Sequence, residues 1–131
     1  MSRQKIIGWS RAAAFWLFWP ALALVIWGEV TPATGIEIHA WDKLLHFLAY
    51  FGLSALAWRA AGGGWRGLWA AITLVVLGGV LEIVQGMVGR DMSAGDEVAN
   101  TLGVSAGVLV GEAYMRLRPV IHRLLGVPDA N

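Results

Sequence analysis

The chain has 131 residues, of which 57% are hydrophobic and only 15% are charged. Because the surface of a soluble domain faces water and carries about a quarter charged residues, this composition excludes an ordinary soluble domain and predicts an integral membrane protein. The formal net charge is +1, and the absence of cysteine excludes disulfides, thiolate chemistry and zinc–sulfur sites.

Four apolar stretches are long enough to cross a bilayer as helices, which requires about 17 to 25 residues. They cover residues 12–28, 44–61, 67–87 and 98–115. The first stretch is predicted to be a retained helix, because its apolar part is longer than the core of a cleaved signal peptide, about 7 to 15 residues. We therefore predict an all-α fold in which residues 1–131 form one bundle of four transmembrane helices.

Most basic residues fall on one side of this predicted bundle. Eight of the ten Lys and Arg residues precede the first span, flank the connection between the second and third spans, or follow the fourth span. Since cytoplasmic loops are enriched in Lys and Arg, both termini are predicted to be cytoplasmic. The basic residues thus act as topology determinants, and no nucleic-acid partner is predicted.

This topology gathers polar residues at the outer end of the bundle. Asp42 and His46 are four residues apart, so they share one face of the second helix. Asp91 and Glu97 are expected to be solvated loop charges. The residues expected to converge are Asp42, Lys43, His46, Glu82, Gln85, Arg90, Asp96 and Asn100.

Glu82 lies inside the third apolar stretch, on the same predicted face as Gly78 and Gln85. A charged side chain in the middle of a membrane helix costs about 2.5 to 3.5 kcal/mol on insertion scales. We therefore expect Glu82 to pair with another group, to be protonated, or to line a wet cavity.

Glycines at spacings of four form a stripe along the fourth stretch, at Gly103, Gly107 and Gly111. Small residues at this spacing let membrane helices approach closely. The stripe predicts packing against the second or third helix, which would draw the polar start of the fourth helix towards Glu82 and His46.

Two segments, DKLLHFLAYFGLSALAW and GGVLEIVQGMVGRDMSAGDEVANTLGVSAGVLVG, resemble the VanZ-like family of small bacterial membrane proteins. The family pattern has D-K-x-x-H-F at one helix start, E-x-x-Q late in the next helix, and then an R…D…N-x-x-G-x-x-x-G series. The resemblance spans residues 41–111 and implies a multi-pass protein of the bacterial cytoplasmic (inner) membrane. The matching positions are Asp42, Lys43, His46, Glu82, Gln85, Arg90, Ser93, Asp96, Asn100, Gly103 and Gly107.

The leading functional hypothesis is an outward-facing polar pocket that binds an anionic lipid or a lipid-linked cell-envelope precursor such as a polyprenyl phosphate. Whether the pocket also modifies that lipid stays open; hydrolysis or transfer at a phosphate ester is the reaction class favoured. The expected substrate-binding residues are Arg90, Lys43, Gln85 and Asn100, and the candidate catalytic residues are His46, Glu82, Asp42 and Asp96.

Two alternatives stay open. One is a non-enzymatic accessory protein that alters the cell envelope through a protein partner; the founding member of the VanZ-like family is associated with low-level teicoplanin resistance. The other is a small proton-coupled transporter in which Glu82 and His46 titrate, and it would require a homo-oligomer because four helices leave little room for a pathway.

The same residues also have structural interpretations. Glu82 and Gln85 could clamp helices together, and Arg90 could extend along the lipid surface. The acids and His46 could supply ligands for a divalent ion, but the sequence has no HxxxH or ExxH signature, so no metal or cofactor is predicted. Ser93 lacks a G-x-S-x-G context, which argues against a nucleophilic triad.

Overall fold

The computed structural model describes residues 3–31, 39–90 and 92–124, with their side chains except those of residues 3–9, 39, 40 and 122. These residues form four α-helices: α1 spans Arg3–Val30, α2 His39–Ala61, α3 Gly64–Met87 and α4 Ala94–Leu124. The predicted all-α class with four helices is confirmed. Each helix contains the apolar stretch predicted for it and extends beyond that stretch at one or both ends.

Three glycines permit the tight connection between α2 and α3. Gly62, Gly63 and Gly64 have φ angles of 81°, 74° and 60°. These values lie in the left-handed region, which glycine adopts without the steric penalty of a Cβ atom. The chain therefore reverses within a few residues, and α2 and α3 run antiparallel.

Three of the described helices are long and apolar enough to cross a membrane: Ser10–Val30, Trp41–Ala61 and Gly64–Met87. Large apolar side chains on their outer surfaces are exposed, including Trp16 and Trp27 on α1. Soluble monomers rarely expose apolar patches this extensive, so this surface indicates a membrane protein. Helix α4 is not among the three, because glycine, serine and acidic residues lower its hydropathy.

The glycine stripe of α4 packs against α2, as the sequence predicts. A methyl group on Gly103 would overlap the carbonyl oxygen of Phe47, and one on Gly107 would overlap the hydroxyl of Ser54. This closeness lets the Ser54 hydroxyl donate a hydrogen bond to the Val104 carbonyl oxygen at 3.0 Å. The α2–α4 contact is the most extensive interface between helices of the described chain.

The chain order places the end of α1, the start of α2, the end of α3 and the start of α4 at one end of the bundle. Arg90 reaches from the end of α3 to the end of α1, where it donates to the Gly28 carbonyl oxygen. At the opposite end Arg11 of α1 donates to the carbonyl oxygens of Ala60 and Ala61, where α2 ends. The two ends therefore have different polar residues, and the predicted site residues lie at the first.

Candidate functional site

The candidate site is a group of buried and half-buried polar side chains at this end of the bundle, here called the polar cluster. It contains all eight residues that the sequence predicts to converge, together with two that it does not. Its members are Glu29, Asp42, Lys43, His46, Glu82, Gln85, Arg90, Asp96, Glu97 and Asn100.

Lys43 and Asp96 form an ion pair between α2 and α4. Lys43 Nζ donates to Asp96 Oδ1 at 2.8 Å and to Ser93 Oγ at 3.4 Å. The Asp96 side chain is only 3% exposed, whereas that of Lys43 is 43% exposed. The ammonium group therefore stays at the edge of the bundle and compensates the charge of a carboxylate held inside it.

His46 is buried and faces α4 through one ring nitrogen. Its Nδ1 lies 3.0 Å from Asn100 Oδ1, while Asn100 Nδ2 donates to Glu97 Oε2 at 3.3 Å. Because an ionised carboxylate only accepts hydrogen bonds, the amide nitrogen of Asn100 must face Glu97 and the amide oxygen must face His46. His46 therefore donates from Nδ1, and in its neutral form the lone pair lies on Nε2.

Asp42 lies between His46 and Arg90. Its Oδ1 is 3.8 Å from His46 Nε2 and 3.4 Å from Arg90 Nη2. The first distance confirms the predicted placement of Asp42 and His46 on one face of α2. Asp42 thus connects the buried imidazole to the guanidinium at the end of α3.

Arg90 holds the end of α1 against the start of α2. Besides its contact with Asp42, its Nη1 donates to the carbonyl oxygens of Gly28 at 3.0 Å and Glu29 at 3.5 Å. A cation is favourable at a helix C-terminus, where carbonyl groups have no partner within the helix. Since the Arg90 side chain is only 13% exposed, it points into the bundle and does not extend along the lipid surface.

Glu82 connects the end of α3 to the start of α4. Its Oε1 accepts a hydrogen bond from the backbone N–H of Ser93, and the Ser93 carbonyl accepts from the N–H groups of Asp96 and Glu97. Glu82 therefore anchors the first turn of α4. Its other oxygen, Oε2, and the amide nitrogen of Gln85 are buried without a hydrogen-bond partner among the described residues.

Glu29 is a member of the cluster that directly follows the first predicted apolar stretch, residues 12–28. Helix α1 continues to Val30, so Glu29 lies in its last turn. Its Oε1 is 3.7 Å from His46 Nδ1, and its carboxyl group interacts with the buried Tyr50 hydroxyl. The sequence contains one indication of this role, namely a carboxylate directly after an apolar span. A negative charge is unfavourable at a helix C-terminus, so it indicates that a partner compensates the charge.

Glu97 was assigned to a solvated loop, but it lies in the first turn of α4 and contacts Asn100. Asp91, given the same assignment, lies outside the described residues. Of the predicted site residues, Lys43 and Asp96 form one pair, and a separate series of contacts joins Arg90, Asp42, His46 and Asn100. Glu82 and Gln85 lie on α3 beside them, and the hydrogen bond of Glu82 goes to the Ser93 backbone.

A cavity of about 250 Å³ opens between α1 and α2 next to the polar cluster. Its walls are mostly apolar, and Glu29, Asp42, His46 and Arg90 form its polar part. Lys43 does not line it. The lining residues are Leu24, Val25, Gly28, Glu29, Asp42, Leu45, His46, Ala49 and Arg90.

Three side chains of the cluster also have the geometry of cation ligands. One ligand atom each from Asp42, His46 and Asp96 lies within 4.8 Å of the other two. Two carboxylates and one imidazole are ligands suited to borderline divalent ions. The spacing of these residues in the sequence, on two different helices, follows no metal-binding motif, so only the packing of α2 on α4 brings them together.

Comparisons of the chain with protein-family models, with curated proteins and with solved structures find no match.

Proposed function

We propose that the chain is a VanZ-like multi-pass protein of the bacterial cytoplasmic membrane, with both termini in the cytoplasm and the polar cluster facing outward. Three apolar helices support the membrane assignment. The excess of Lys and Arg at the other end of the bundle supports the orientation. The D-K-x-x-H-F, E-x-x-Q and N-x-x-G-x-x-x-G elements support the family.

Helix α4 is proposed as the fourth span. It contains 31 residues, and at about 1.5 Å per residue it exceeds the roughly 30 Å of a bilayer core. Its most polar residues do not face lipid, since Asp96 and Asn100 are buried against the other helices. Its glycine face packs along α2, a candidate span, so α4 lies beside α2 through the same depth.

The polar cluster and its cavity are proposed to bind an anionic lipid or a lipid-linked cell-envelope precursor. The observation that carries this proposal is a cavity with apolar walls at Leu24, Val25 and Leu45 and a guanidinium, that of Arg90, at its polar part. The apolar walls suit an acyl or prenyl chain, and a guanidinium suits a phosphate because its fork of N–H donors can grip two oxygens.

Binding of a phosphate would require some N–H groups of Arg90 to donate to the phosphate in place of their present acceptors. The Arg90–Asp42 contact is long, at 3.4 Å, so an arriving phosphate could replace Asp42 as the partner of Nη2. Asp42 would then be free to accept a hydrogen bond from His46 Nε2, one turn along α2, whenever the ring is protonated there. If chemistry follows, His46 is the group in position to transfer a proton at a phosphate ester, and Glu82 fixes the α4 start that positions Asp96.

The test is a lipid panel on the purified protein in nanodiscs. The protein is placed in phosphatidylcholine nanodiscs that contain either phosphatidylglycerol or an undecaprenyl phosphate. Mass spectrometry then measures which lipid the protein retains and whether that lipid is chemically changed. We expect the protein to retain an anionic lipid selectively. In Arg90→Gln the amount of retained anionic lipid should fall at least tenfold. If there is turnover, Glu82→Gln and His46→Ala should abolish it.

The matched control is Glu112→Gln, because Glu112 lies at the opposite end of α4 and contacts Trp58 and Arg116. This variant should retain lipid as the unchanged protein does. Equal retention of neutral and anionic lipids, or full retention by Arg90→Gln, would refute the proposal.

A non-enzymatic accessory role is the second candidate, and one observation favours it. Lys43 of α2 pairs with Asp96 of α4, and Arg90 contacts the end of α1, which is the pattern of charged groups that hold a bundle together. In that case the lipid panel should show no turnover, and crosslinking in native membranes should capture a specific envelope protein.

A further inference from the structure

The contact between His46 and Asp42 is favourable only if a proton or a metal cation lies between the two groups. The hydrogen bond to Asn100 uses the Nδ1–H of His46, so the neutral ring presents a lone pair at Nε2. The nearest carboxylate oxygen, Asp42 Oδ1, is 3.8 Å from that nitrogen and is also an acceptor. Two acceptors that face each other in a buried site repel unless a proton or a metal cation lies between them.

The charge balance of the polar cluster adds to this requirement. Five carboxylates, those of Glu29, Asp42, Glu82, Asp96 and Glu97, share the cluster with two permanent cations within the described chain, Lys43 and Arg90. Each of these carboxylates that is ionised carries its negative charge in a region of low dielectric constant. A divalent cation beside them would compensate more of that charge than a single proton does.

The ligand geometry fits one ion. The ligand atoms of Asp42, His46 and Asp96 lie within 4.8 Å of one another. Bonds of about 2.0 to 2.2 Å to a common ion place ligand atoms about 3 to 4 Å apart, so only a small contraction is needed. The hydrogen bond from Nδ1 to Asn100 fixes the ring and its tautomer, as acceptors behind metal-bound histidines do.

Glu29 lies on the other side of the His46 ring from Asp42. Its residue exposure is 7%, and its Oε1 lies 3.7 Å from His46 Nδ1, the nitrogen that also faces Asn100. The carboxyl group of Glu29 interacts with the buried Tyr50 hydroxyl. Glu29 and Asn100 thus both offer acceptors to the Nδ1–H of His46, which leaves Nε2 as the ring nitrogen available to a cation.

We propose that Asp42, His46 and Asp96 bind one divalent transition-metal cation of the Mn²⁺, Fe²⁺ or Zn²⁺ class, with His46 as a ligand through Nε2. The imidazole disfavours Ca²⁺ and Mg²⁺, which prefer all-oxygen ligands. The ion pairs with Lys43 and Arg90 do not prevent this, because each uses Oδ1 of its carboxylate and a carboxylate has about four lone-pair sites.

This site goes beyond the proposed lipid binding and does not depend on it. The cation would be held by protein side chains alone, so it should bind in the absence of any anionic lipid. If the lipid proposal is also correct, the ion lies beside the cavity lined by Arg90 and adds positive charge where a phosphate would bind.

The test uses the full chain in nanodiscs of phosphatidylcholine only, stripped with a chelator and titrated with Mn²⁺. Electron paramagnetic resonance measures free Mn²⁺, and electron spin-echo modulation detects a coordinated imidazole nitrogen. We expect saturation at one Mn²⁺ per chain with an imidazole signal. Asp42→Asn and His46→Gln should each weaken binding at least tenfold, and His46→Gln should remove the imidazole signal.

Asn100→Ala should weaken binding by about 10- to 100-fold, since it removes the group that orients the ring. Glu112→Gln, at the other end of the bundle, should bind as the unchanged chain does. Helical circular dichroism and a single size-exclusion peak identify the folded variants. The imidazole signal of the unchanged chain tests the site even if a variant does not fold.

Absence of saturable Mn²⁺ binding to the unchanged chain would overturn the inference, as would binding without an imidazole signal. Undiminished binding by folded Asp42→Asn and His46→Gln would do the same. Metal binding without lipid selectivity would refute only the lipid proposal, and lipid selectivity without metal binding would refute only the metal site.

Discussion

Asn100 has both ends of its side-chain amide occupied inside the bundle. It is fully buried, at 0% exposure, and bridges His46 on α2 to Glu97 on its own helix. Its amide orientation determines which nitrogen of His46 carries the proton. A residue that the sequence suggests as a substrate-binding group therefore acts first on the neighbouring imidazole.

Replacing Asn100 with alanine is expected to destabilise the fold by about 1 to 3 kcal/mol, because it leaves the Nδ1–H of His46 buried without an acceptor. The free energy of unfolding should be measured by steric trapping in bicelles, with chelator present so that metal binding does not contribute. Thr73→Ala is the matched control, since the Thr73 hydroxyl is exposed and donates to the Trp69 carbonyl of its own helix. Its expected effect is below about 0.5 kcal/mol, and similar small effects for both variants would contradict this account.

Helix α4 combines a low hydropathy with the closest packing in the bundle. The acids and amide at its start are turned towards α2 and α3, and its glycine stripe brings its backbone onto that of α2. Gly78 of α3 contributes, because a Cβ there would contact Asn100 and Glu97. A helix of this kind is stabilised by close contact and interhelical hydrogen bonds more than by the apolar character of its surface.

Gly107→Ala is therefore expected to destabilise the bundle by about 1 to 3 kcal/mol or more, because the added methyl group would overlap Ser54 and the Phe51 carbonyl oxygen. Gly52→Ala is the matched control within α2: a Cβ at Gly52 meets no atom within 4 Å. That substitution should be neutral or stabilising by up to about 1 kcal/mol. Unfolding free energies in bicelles test both, and equal effects would mean that the α2–α4 interface is looser than described.

The two ends of the whole molecule differ in chemistry. One end holds the polar cluster, with its excess of carboxylates. The other has Arg11 and Arg59, which join α1 to α2 through the Ala60 carbonyl oxygen and the Ser10 hydroxyl. Basic residues favour the cytoplasmic side, so this asymmetry is the physical basis of the proposed orientation.

Because the chain has no cysteine, single substitutions can report this orientation. Ala94→Cys lies at the start of α4 and Arg66→Cys near the start of α3, and both positions are exposed. A membrane-impermeant maleimide added to intact cells should label Ala94→Cys and leave Arg66→Cys unlabelled until the cells are lysed. The reverse pattern would place the polar cluster in the cytoplasm and remove its access to outer-leaflet lipids.

Much of the fold followed from local features of the chain. Long apolar stretches predicted four helices, glycine spacing predicted the face that α4 packs on, and the four-residue spacing of Asp42 and His46 predicted their contact. Helix ends were less predictable, because a helix continues beyond its apolar part wherever polar residues find partners. Glu29 shows this: it lies just beyond the predicted stretch 12–28, and in α1 its neighbour is His46, which lies 17 positions later in the chain.

The sequence by itself determined the class of protein, the number of helices and the residues that approach one end, because hydropathy, helical period and basic-residue bias are local properties. Only the tertiary structure decided which polar groups pair: Lys43 with Asp96, His46 with Asn100, Arg90 with the end of α1, and Glu82 with Ser93. These pairings depend on the rotation and depth of each helix against its neighbours. Side-chain packing fixes that arrangement, and no single helix encodes it.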